Sequence, residues 1–358
     1  MARPIRWGIL GTGTVARDFA GGLHDLPGAV IQAVGSRSEA SARAYAAAVG
    51  AVQTHSSYEE LVRNPEVDIV YVATPNMRHV DDVMLALDHC KPVLCEKPLA
   101  MTAAEARKIA AAARARGLFC MEAMWMRFIP LIAEAKAALA QGRIGAAQML
   151  SADFGNVTPE DSGNRFFNPG MGGGALLDRG VYLVSLAHFL FGEIVSVKAE
   201  ADLTATGVDR TSALLLRHRA GQISVLHTSL AFNSLNQAVI YGTQGRIVLT
   251  DPFYETQRLI IEDFPPARAP VSRLDQGRLA TTLKRIPVLA EAVRSLRARR
   301  AQTHVLQPHR GNPYRFQAAE AMRCLRAGLT ESETMPLDDT ISVLDALDAA
   351  RCAWGAGA

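Results

Sequence analysis

The sequence is poor in the features that mark secreted and metal-binding proteins. Only five of its 358 residues are cysteine, and none has the short paired spacing of a disulfide framework or a metal site. We interpret them as buried thiols of a protein from a reducing compartment. The nine histidines do not cluster at ligand spacings, so we expect no metal. The cysteines are Cys90, Cys95, Cys120, Cys324 and Cys352.

Strong charge and long apolar runs are also lacking. The formal net charge of +3 is too small to favour nucleic acid or a membrane surface as a partner. No apolar run is long enough to span a bilayer, and the N-terminal MARPIRWGIL leads directly into the first candidate strand, which leaves no room for a signal peptide. We therefore predict a cytoplasmic protein with neither a nucleic-acid nor a membrane partner.

What the chain does contain is enough length for two domains with their own cores. Residues 1–122 alternate short apolar runs with helical patterns, which predicts a parallel sheet with helices on both faces. The predicted strands are Arg6–Leu10, Val30–Val34, Ile69–Ala73, Val93–Cys95 and Leu118–Met121, and the clearest helices are Val15–Leu23 and Ala103–Ala115.

Residues 123–358 have a different pattern, and we assign them to a second, α+β domain with a large, mainly antiparallel open sheet. Strand and turn patterns dominate from Ile194 to about Ile261, with hairpin turns at residues 219–221 and 243–245. Further predicted elements are a helix over Leu131–Gln141, a strand over Gln148–Phe154, a helix over Ala175–Phe191 and two C-terminal helices within 314–354.

Residues 268–300 form a basic excursion from this second domain. They hold nine basic residues against two acidic ones, with apolar residues at helical spacing interrupted by Pro287. A solvated amphipathic segment is the simpler interpretation, and a site for an anionic partner is the alternative. The segment could also reshape the mouth of a substrate site or a dimer edge.

A glycine-rich loop follows the first predicted strand and opens a helix. Its first glycine permits a tight turn, its second lets the backbone approach a pyrophosphate, and the small Ala16 allows close packing of helix on strand. The helix N-terminus adds amide donors for an anion. A G-x-G-x-x-A pattern alone is weak evidence, but this one lies at the first strand–turn–helix of an alternating strand and helix series, where it predicts a dinucleotide site. The predicted ligands are Gly11, Gly13, Thr14 and Val15.

The end of the second strand discriminates between cofactors. An NAD site usually has an acidic residue there to bind the ribose 2′-hydroxyl. This strand instead ends in Ser36 and Arg37, which can donate to a 2′-phosphate that a carboxylate would repel. We predict NADP(H) over NAD(H). The alternative is that Arg37 is only a solvated residue at a helix start.

Two further strand ends supply polar residues to the same rim. Thr74, Pro75 and Asn76 follow one strand, and Glu96 and Lys97 end the next. Carboxyl ends of parallel strands form the ligand crevice, so we predict that these residues contact the cofactor. A salt bridge is the alternative role for Lys97. The first helical residue after Asn76, His79, is a further cofactor candidate or an ordinary partly exposed histidine.

A second glycine-rich stretch begins a helix that is apolar nearly all round. Asp178 and Tyr182 lie four residues apart and therefore share one face. Polar groups on a buried helix require polar partners or a ligand. A structural hydrogen-bonded pair is the alternative. The nearby His188 lies among apolar residues and is more typical of a packed core histidine.

With these motifs in place, the chain resembles the glucose-fructose oxidoreductase / inositol dehydrogenase / MocA (Gfo/Idh/MocA) family. It is most similar to the branch of dimeric dihydrodiol dehydrogenases and NADP-dependent D-xylose dehydrogenases, because Tyr182 stands where many relatives carry histidine. CEKP and GGGALLDxGVY are the specific motifs. The resemblance covers almost the whole chain through GTGTVA, ATPNMRH, CEKPLAMTAAEA, EAMWMRFIP, GGGALLDRGVY and MRCLRAGLTESETMPLDDT.

The resemblance implies a Rossmann doubly wound parallel sheet in the first domain and a catalytic pair of Lys97 and Tyr182, supported by Asp178. Alcohol oxidation moves a hydride to the nicotinamide and a proton to a base. Tyrosine can accept that proton, but its free pKa is about 10. We expect the Lys97 ammonium to favour the phenolate and lower the pKa of Tyr182.

The resemblance also implies that Trp125 and Phe154 line the substrate pocket, where aromatic rings can hold a cyclic diol or the flat face of a pyranose. Arg127 and Arg165 are candidate hydroxyl ligands, although either could be structural. Arg179 occupies a position that is loosely apolar in the family, so its side chain could enter the pocket or turn away from it.

These observations lead to one main hypothesis, an NADP(H)-dependent oxidoreductase that acts on a cyclic polyol or sugar, such as D-xylose at C1 or a trans-dihydrodiol. The enzymatic alternatives are an anhydrofructose-type reductase of a sugar ketone and an inositol-type dehydrogenase. The alternative of another class is a non-catalytic NADP-sensing regulator, against which the complete set of Lys97, Asp178 and Tyr182 argues. Because relatives pair through the open sheet, we also expect a homodimer.

Overall fold

The computed structural model describes residues 3–161, 163–264 and 302–355. Its first half is built on a six-stranded parallel sheet of order β3-β2-β1-β4-β5-β6. Since β2 and β4 flank β1, the strand order reverses beside β1, and a ligand crevice is expected at the carboxyl ends of the strands there. The strands are β1 (Ile5–Leu10), β2 (Ala29–Gly35), β3 (Gln53–His55), β4 (Ile69–Val72), β5 (Val93–Glu96) and β6 (Cys120–Ala123).

The helices of this half connect the parallel strands. Every residue of β4 and β5 is buried, as expected for a sheet that is covered on both faces. Local signals fix where the helices begin: Ser38 and Ser57 each accept a backbone N–H, and Thr102 forms a capping box with Glu105. The helices are α1 (Thr14–His24), α2 (Glu39–Val49), α3 (Tyr58–Arg63), α4 (His79–Asp88) and α5 (Ala103–Arg116).

An eight-stranded sheet organises the second half, in the order β14-β13-β12-β11-β7-β10-β9-β8. Only the central pair of β7 and β10 is parallel. Along β9, Leu214 and Leu216 are buried whereas Leu215 is 43% exposed, so one face carries the core. The strands are β7 (Ala147–Gly155), β8 (Ile194–Leu203), β9 (Asp209–His218), β10 (Ile223–Ser229), β11 (Ala238–Gly242), β12 (Gly245–Leu249), β13 (Arg258–Asp263) and β14 (Gln302–Leu306).

Helices α6 (Pro130–Ala140) and α7 (Val181–Phe191) pack on the buried face of this sheet. A π-turn over Leu176–Gly180 leads directly into α7. The segment Pro169–Phe191 is, within the described residues, long and apolar enough by composition to cross a membrane, contrary to the expectation that no such run exists. Its apolar window is 78% buried inside the protein, which is typical of a core helix.

Two C-terminal helices return to the first sheet. Helix α8 (Tyr314–Arg326) packs on α1, and α9 (Leu337–Ala353) contacts both α5 and α7. Just before α8, the Asn312 backbone N–H donates to the Asp25 carboxylate at 2.7 Å, and the Asn312 side chain donates to the carbonyl of Asp18 at 2.6 Å. The end of the chain therefore connects the layers built on the two sheets.

The predicted fold class is confirmed, with a Rossmann-type parallel sheet and a second, mainly antiparallel sheet. Both predicted hairpin turns join antiparallel neighbours, β9 to β10 and β11 to β12. Strand β3 was not predicted, because three residues carry too little pattern. The predicted helix over Ala175–Phe191 begins instead as the π-turn. The domain boundary near residue 122 stays a prediction, and the basic excursion 268–300 lies outside the described residues.

Candidate active site

A cleft of about 590 Å³ opens at the carboxyl ends of the parallel strands. It is lined by residues from the loops after β1, β2, β4 and β5, and by the loop and π-turn that precede α7. Of the predicted site residues, the cleft brings together Gly11, Gly13, Thr14, Val15, Ser36, Arg37, Thr74, Pro75, Asn76, His79, Glu96, Lys97, Arg165 and Asp178.

The glycine-rich loop has the geometry of a nucleotide cradle. Gly11 adopts a φ of +102°, and a Cβ there would lie against the carbonyl oxygen of Ala73, so only glycine fits. Gly13 begins α1 without a side-chain cap, and a Cβ at Gly13 would meet open space. The first amides of α1 therefore have no internal acceptor, as required of a helix N-terminus that binds a phosphate.

The end of β2 gives the cleft a wall that is free of acidic residues. Ser36 is buried and Arg37 is exposed, and both line the cleft. Tyr58, the first residue of α3, lines the same end. The sequence analysis did not single out Tyr58, because a tyrosine at a helix start carries no motif. The residues of this wall fit a phosphorylated ribose, since they present donors and no carboxylate.

Lys97 lies where the cleft meets the π-turn. Its Nζ donates to the carbonyl oxygen of Asp178 at 2.7 Å and lies 3.5 Å from the Asp178 carboxylate. It also lies 4.7 Å from the centre of the Tyr182 ring. Thus the structure brings Lys97, Asp178 and Tyr182 into contact across the gap between β5 and α7. The alternative role considered for Lys97, a salt bridge to Glu96 or another carboxylate, is also present, with Asp178 as the partner.

The Asp178 carboxylate lies among three cations. Besides Lys97, Arg165 approaches it at 3.3 Å and Arg179 at 3.8 Å. Burial alone would raise the pKa of Asp178, but these positive charges outweigh it and hold the pKa below its usual value. The aspartate is therefore ionised at neutral pH and fixes the position of the Lys97 ammonium.

Tyr182 does not have the lowered pKa that its proximity to Lys97 predicts. The side chain is only 6% exposed, and burial raises its pKa well above 10, with the nearby Glu96 and Asp178 acting in the same direction. Lys97 faces the ring rather than the phenolic oxygen. The expectation that Lys97 lowers the pKa of Tyr182 is therefore wrong, because burial outweighs the lysine and Tyr182 is a neutral phenol at neutral pH.

Trp125 holds the phenolic oxygen in place. Its Nε1–H donates to Tyr182 Oη at 2.9 Å, so the Tyr182 hydroxyl proton can be donated to another acceptor. Phe154 packs against the Tyr182 ring from the other side, with ring centres 5.6 Å apart. The two residues implied by the resemblance thus lie in contact with Tyr182.

Two further aromatic residues complete this cluster. Tyr254 stacks on Phe154 with ring centres 4.5 Å apart, and Tyr314 stacks on Trp125 at 5.3 Å. The sequence analysis missed both, because one follows an irregular turn and the other begins a C-terminal helix. Only the position of α8 against α1 brings Tyr314 to the site. We call Trp125, Phe154, Tyr254 and Tyr314 the aromatic cluster.

Two of the predicted cofactor ligands that line the cleft, His79 and Glu96, have hydrogen-bond partners within the protein. His79 is fully buried, and its ring nitrogens contact the carbonyl oxygens of Pro98 and Thr74 at 2.8 Å each. Burial lowers the pKa of His79, whose role here is to join the loops after β4 and β5. Glu96 is hydrogen bonded to the Tyr71 hydroxyl, and burial raises the pKa of Glu96 to about 7.

Arg127 is not available to a substrate hydroxyl. Its guanidinium is buried, donates to Ser185 Oγ at 2.9 Å and to the Ser185 carbonyl at 3.2 Å, and pairs with Asp339 at 2.5 Å. We correct its predicted role to a structural one that ties α7 to α9. Arg179 turns away from the cleft and donates to the carbonyls of Asn156 and Ser229. Arg165, 46% exposed, keeps its place at the cleft mouth.

Comparison with protein families gives two matches along the chain. Residues 5–124 match the model described as "Oxidoreductase family, NAD-binding Rossmann fold", and residues 132–248 match "GFO/IDH/MocA C-terminal domain". Curated relatives are the trans-1,2-dihydrobenzene-1,2-diol dehydrogenases of Bos taurus, 31% identical over 98% of this chain and 97% of theirs, and of Homo sapiens, 32% identical with the same coverage.

Solved structures show the same fold at lower identity. A levoglucosan dehydrogenase in complex with NADH and levoglucosan has a TM-score of 0.80 at 19% identity, and covers 98% of this chain and 97% of its own. A 3-ketoreductase from Actinomadura kijaniata with NADP and TDP-benzene has a TM-score of 0.77 at 24% identity, with 98% of both chains covered. At these identities the likeness establishes the arrangement of the two sheets and nothing finer.

Proposed function

The chain belongs to the GFO/IDH/MocA oxidoreductase family, and from that premise we propose that it transfers a hydride between NADP(H) and a CH–OH group of a cyclic polyol. The observation that carries the proposal is the contact of Lys97 and Asp178 with Tyr182 at the inner end of the nucleotide cleft. A partly buried lysine and carboxylate next to a buried phenol beside such a cleft are the parts that proton transfer to or from an alcohol oxygen requires.

The cofactor assignment rests on Ser36 and Arg37. The family model is described as an NAD-binding Rossmann fold. Solved structures with the same fold include one complex with NADH and one with NADP. In this chain the end of β2 presents a hydroxyl and a guanidinium, with no carboxylate to accept the ribose 2′-hydroxyl. A guanidinium forms a forked, charge-assisted contact with phosphate, so we infer a preference for NADP(H).

In the proposed mechanism the bound nicotinamide accepts or supplies the hydride, and the chain handles the proton. Tyr182 keeps its own proton because burial raises its pKa, and since Trp125 donates to its oxygen, the hydroxyl proton is directed to another acceptor. It can therefore protonate the oxygen of a ketone during reduction. In the oxidative direction it must first lose that proton, and it then accepts the hydroxyl proton of the substrate. Lys97 donates a hydrogen bond to the reacting oxygen while Asp178 holds its ammonium in place.

This protonation state favours a second candidate, a reductase of a cyclic sugar ketone. Because burial raises the pKa of Tyr182, the side chain holds its proton at neutral pH: it is in the form that donates to a ketone oxygen, and it must lose that proton before it can act as a base. Both functions use the same residues and differ only in the direction that the cell requires. Comparing the pH dependence of the two directions tests this preference.

The aromatic cluster supports a cyclic polyol as the substrate. Its rings present flat apolar faces beside Tyr182, and Arg165 adds a donor at the mouth of the cleft. A six-membered ring with adjacent hydroxyls satisfies both features, because its face stacks on aromatic carbon while its hydroxyls bind polar groups. The substrates named for relatives, trans-dihydrodiols and levoglucosan, have this form, as do aldoses such as D-xylose and the inositols.

The test is a screen of aldoses, inositols, anhydrosugars and trans-dihydrodiols with NADP⁺ and NAD⁺, in which nicotinamide absorbance reports turnover. We expect turnover with at least one cyclic polyol, and its loss in Tyr182→Phe but not in Tyr241→Phe, a matched change on β11 outside the cleft. Tight NADPH binding without turnover on any compound, in either direction, would instead favour the non-catalytic regulator.

We further propose a homodimer formed through the open face of the eight-stranded sheet. Leu215 and Val225 are paired neighbours on that face, and both are more than 40% exposed. Light scattering should give twice the chain mass of 38.5 kDa, and Leu215→Glu should reduce it. A monomeric mass for the wild-type chain would disprove this assembly. The cytoplasmic location stays a prediction.

A further inference from the structure

Asp209, the first residue of β9, is a buried carboxylate that the proposed mechanism does not use. It is only 7% exposed. One of its oxygens accepts the backbone N–H of Leu176 at 2.8 Å and the hydroxyl of Ser212 at 3.0 Å. Leu176 is the first residue of the π-turn that carries Asp178. Asp209 therefore binds the start of the helical segment that delivers the reactive groups.

The glycines before the π-turn make room for this contact. Gly174 has a φ of +106°, and a Cβ there would overlap the Asp209 carboxylate. Gly173 lies against the carbonyls of Phe166 and Asn168, so a Cβ there would meet them at 2.8 Å. The absence of side chains at these glycines thus lets the Asp209 carboxylate approach the start of the π-turn on one side, and lets the preceding loop pack against the chain on the other side.

The position of the π-turn determines where the Lys97 ammonium lies. Lys97 binds the carbonyl oxygen of Asp178 as well as its carboxylate, and a carbonyl cannot adjust by rotating a side chain. A shift of the turn therefore moves the Lys97 ammonium relative to the cleft. The first amides of such a segment also carry partial positive charge, which a carboxylate stabilises. π-turns inside helices are frequent at functional sites.

From these contacts we propose that Asp209 is a positioning residue for hydride transfer: it anchors the π-turn at Leu176 and so keeps Asp178 and Lys97 in register with Tyr182. The inference rests on the proposed function. Burial raises the pKa of Asp209 to about 7, although the hydrogen bonds that it accepts from the Leu176 amide and the Ser212 hydroxyl act in the opposite direction.

The test compares Asp209→Ala and Asp209→Asn in the full chain. The alanine variant leaves the Leu176 amide without its acceptor, and we expect kcat to fall about 10- to 100-fold, the effect of a small displacement of reacting groups. The dissociation constant for NADPH should not change, because Asp209 does not line the cleft. The asparagine variant keeps an acceptor oxygen of the same shape and should restore most of kcat.

Asp68→Ala is the matched control. This carboxylate also accepts a backbone N–H, from Arg6 at 2.9 Å, but it precedes β4 at the edge of the sheet opposite the cleft. It should leave kcat unchanged. The inference is overturned if Asp209→Ala keeps the wild-type kcat, or if Asp209→Asn is as slow as the alanine variant. If Asp209→Ala does not fold, Ser212→Ala replaces it: removing one of the two donors should lower kcat, and an unchanged kcat overturns the inference.

Hydrogen exchange separates this inference from the proposed function. In Asp209→Ala the amides of the segment that begins at Leu176 should exchange faster than in the wild type, whether or not a substrate is known. A wild-type enzyme without turnover defeats the proposed function, whereas unchanged exchange at Leu176 defeats the anchoring role. Turnover in the wild type together with unaltered kcat in Asp209→Ala defeats the anchoring role alone.

Discussion

Replacing Arg37 by alanine tests the cofactor preference directly. Arg37 lies at the end of β2 and lines the cleft, with its side chain exposed. We expect the substitution to weaken binding of NADPH and to leave binding of NADH nearly unchanged, because only the former carries a 2′-phosphate. The protein should otherwise keep its stability, since the Arg37 side chain is exposed and its neighbour at this end of the cleft is the half-buried Tyr58 hydroxyl.

The magnitude follows from the contact that is removed. A hydrogen bond to a charged group contributes about 1.5–3 kcal/mol, which corresponds to roughly 10- to 150-fold in a dissociation constant. The exposure of Arg37 favours the lower part of that range, because water and salt screen an exposed ion pair. We therefore expect the dissociation constant for NADPH to rise about 10- to 30-fold at moderate ionic strength.

The assay is a titration of protein fluorescence or nicotinamide fluorescence with NADPH and with NADH at two salt concentrations. Arg43→Ala is the control, because Arg43 lies on α2 near the same end of the sheet but pairs with Glu39 and does not line the cleft. Equal losses for both nucleotides in Arg37→Ala would refute the reasoning. So would unchanged NADPH binding, which would mean that Arg37 is only a solvated residue at a helix start.

Other predictions concern turnover and stability. Tyr182→Phe should lower kcat by about 10²- to 10⁴-fold with NADPH binding retained, and near-normal turnover would remove Tyr182 from the mechanism. Wild-type oxidation should accelerate as pH rises toward the high pKa of Tyr182, whereas a rate that falls with pH would contradict a neutral phenol. Arg127→Ala should destabilise the fold by about 3–5 kcal/mol in urea unfolding, because it removes a buried guanidinium that bonds Ser185 and Asp339 and leaves His188 as the remaining partner of Asp339; a specific rise in KM without loss of stability would restore its role as a ligand. Burial raises the pKa of both Glu96 and Asp209 to about 7 in the folded chain, whereas these carboxyl groups lose their protons near pH 4 when unfolded. The folded state therefore binds more protons between these values, and the free energy of unfolding should fall as pH rises through that range. Glu96→Gln should reduce this dependence of the free energy of unfolding on pH, and an unaltered dependence would contradict the raised pKa of Glu96.

The parallel-sheet half was predictable because each of its signals is local. A strand, a glycine-rich turn and a helix within Ile5–His24 determine the nucleotide loop. The meeting of Lys97 with Asp178 and Tyr182 was also predictable, although about 80 residues separate them, because strand ends and an apolar helix with one polar face leave few places for such groups. The family resemblance indicated which of these groups act together.

The rest of the site depends on packing that no short window of sequence records. Tyr314 enters the aromatic cluster only because α8 docks on α1, and Tyr254 because a turn after β12 returns toward Phe154. Arg127 was misassigned because its partner Asp339 is distant in sequence, and nothing near Arg127 indicates that its guanidinium is already paired within the protein. The pKa of Tyr182 was misjudged because proximity of charge is visible in a motif, whereas depth of burial is not.

The return of the chain end to α1 has a consequence for synthesis. Asn312 binds the carbonyl of Asp18, and Asp348 accepts the amide of Ala103, across sequence separations of 294 and 245 residues. The nucleotide-binding half leaves the ribosome first, yet the surfaces of α1 and α5 remain uncovered until the last helices are translated. Premature termination before residue 312 would therefore expose two apolar helix faces and delete Tyr314, so the same missing segment would lower solubility and remove one member of the aromatic cluster.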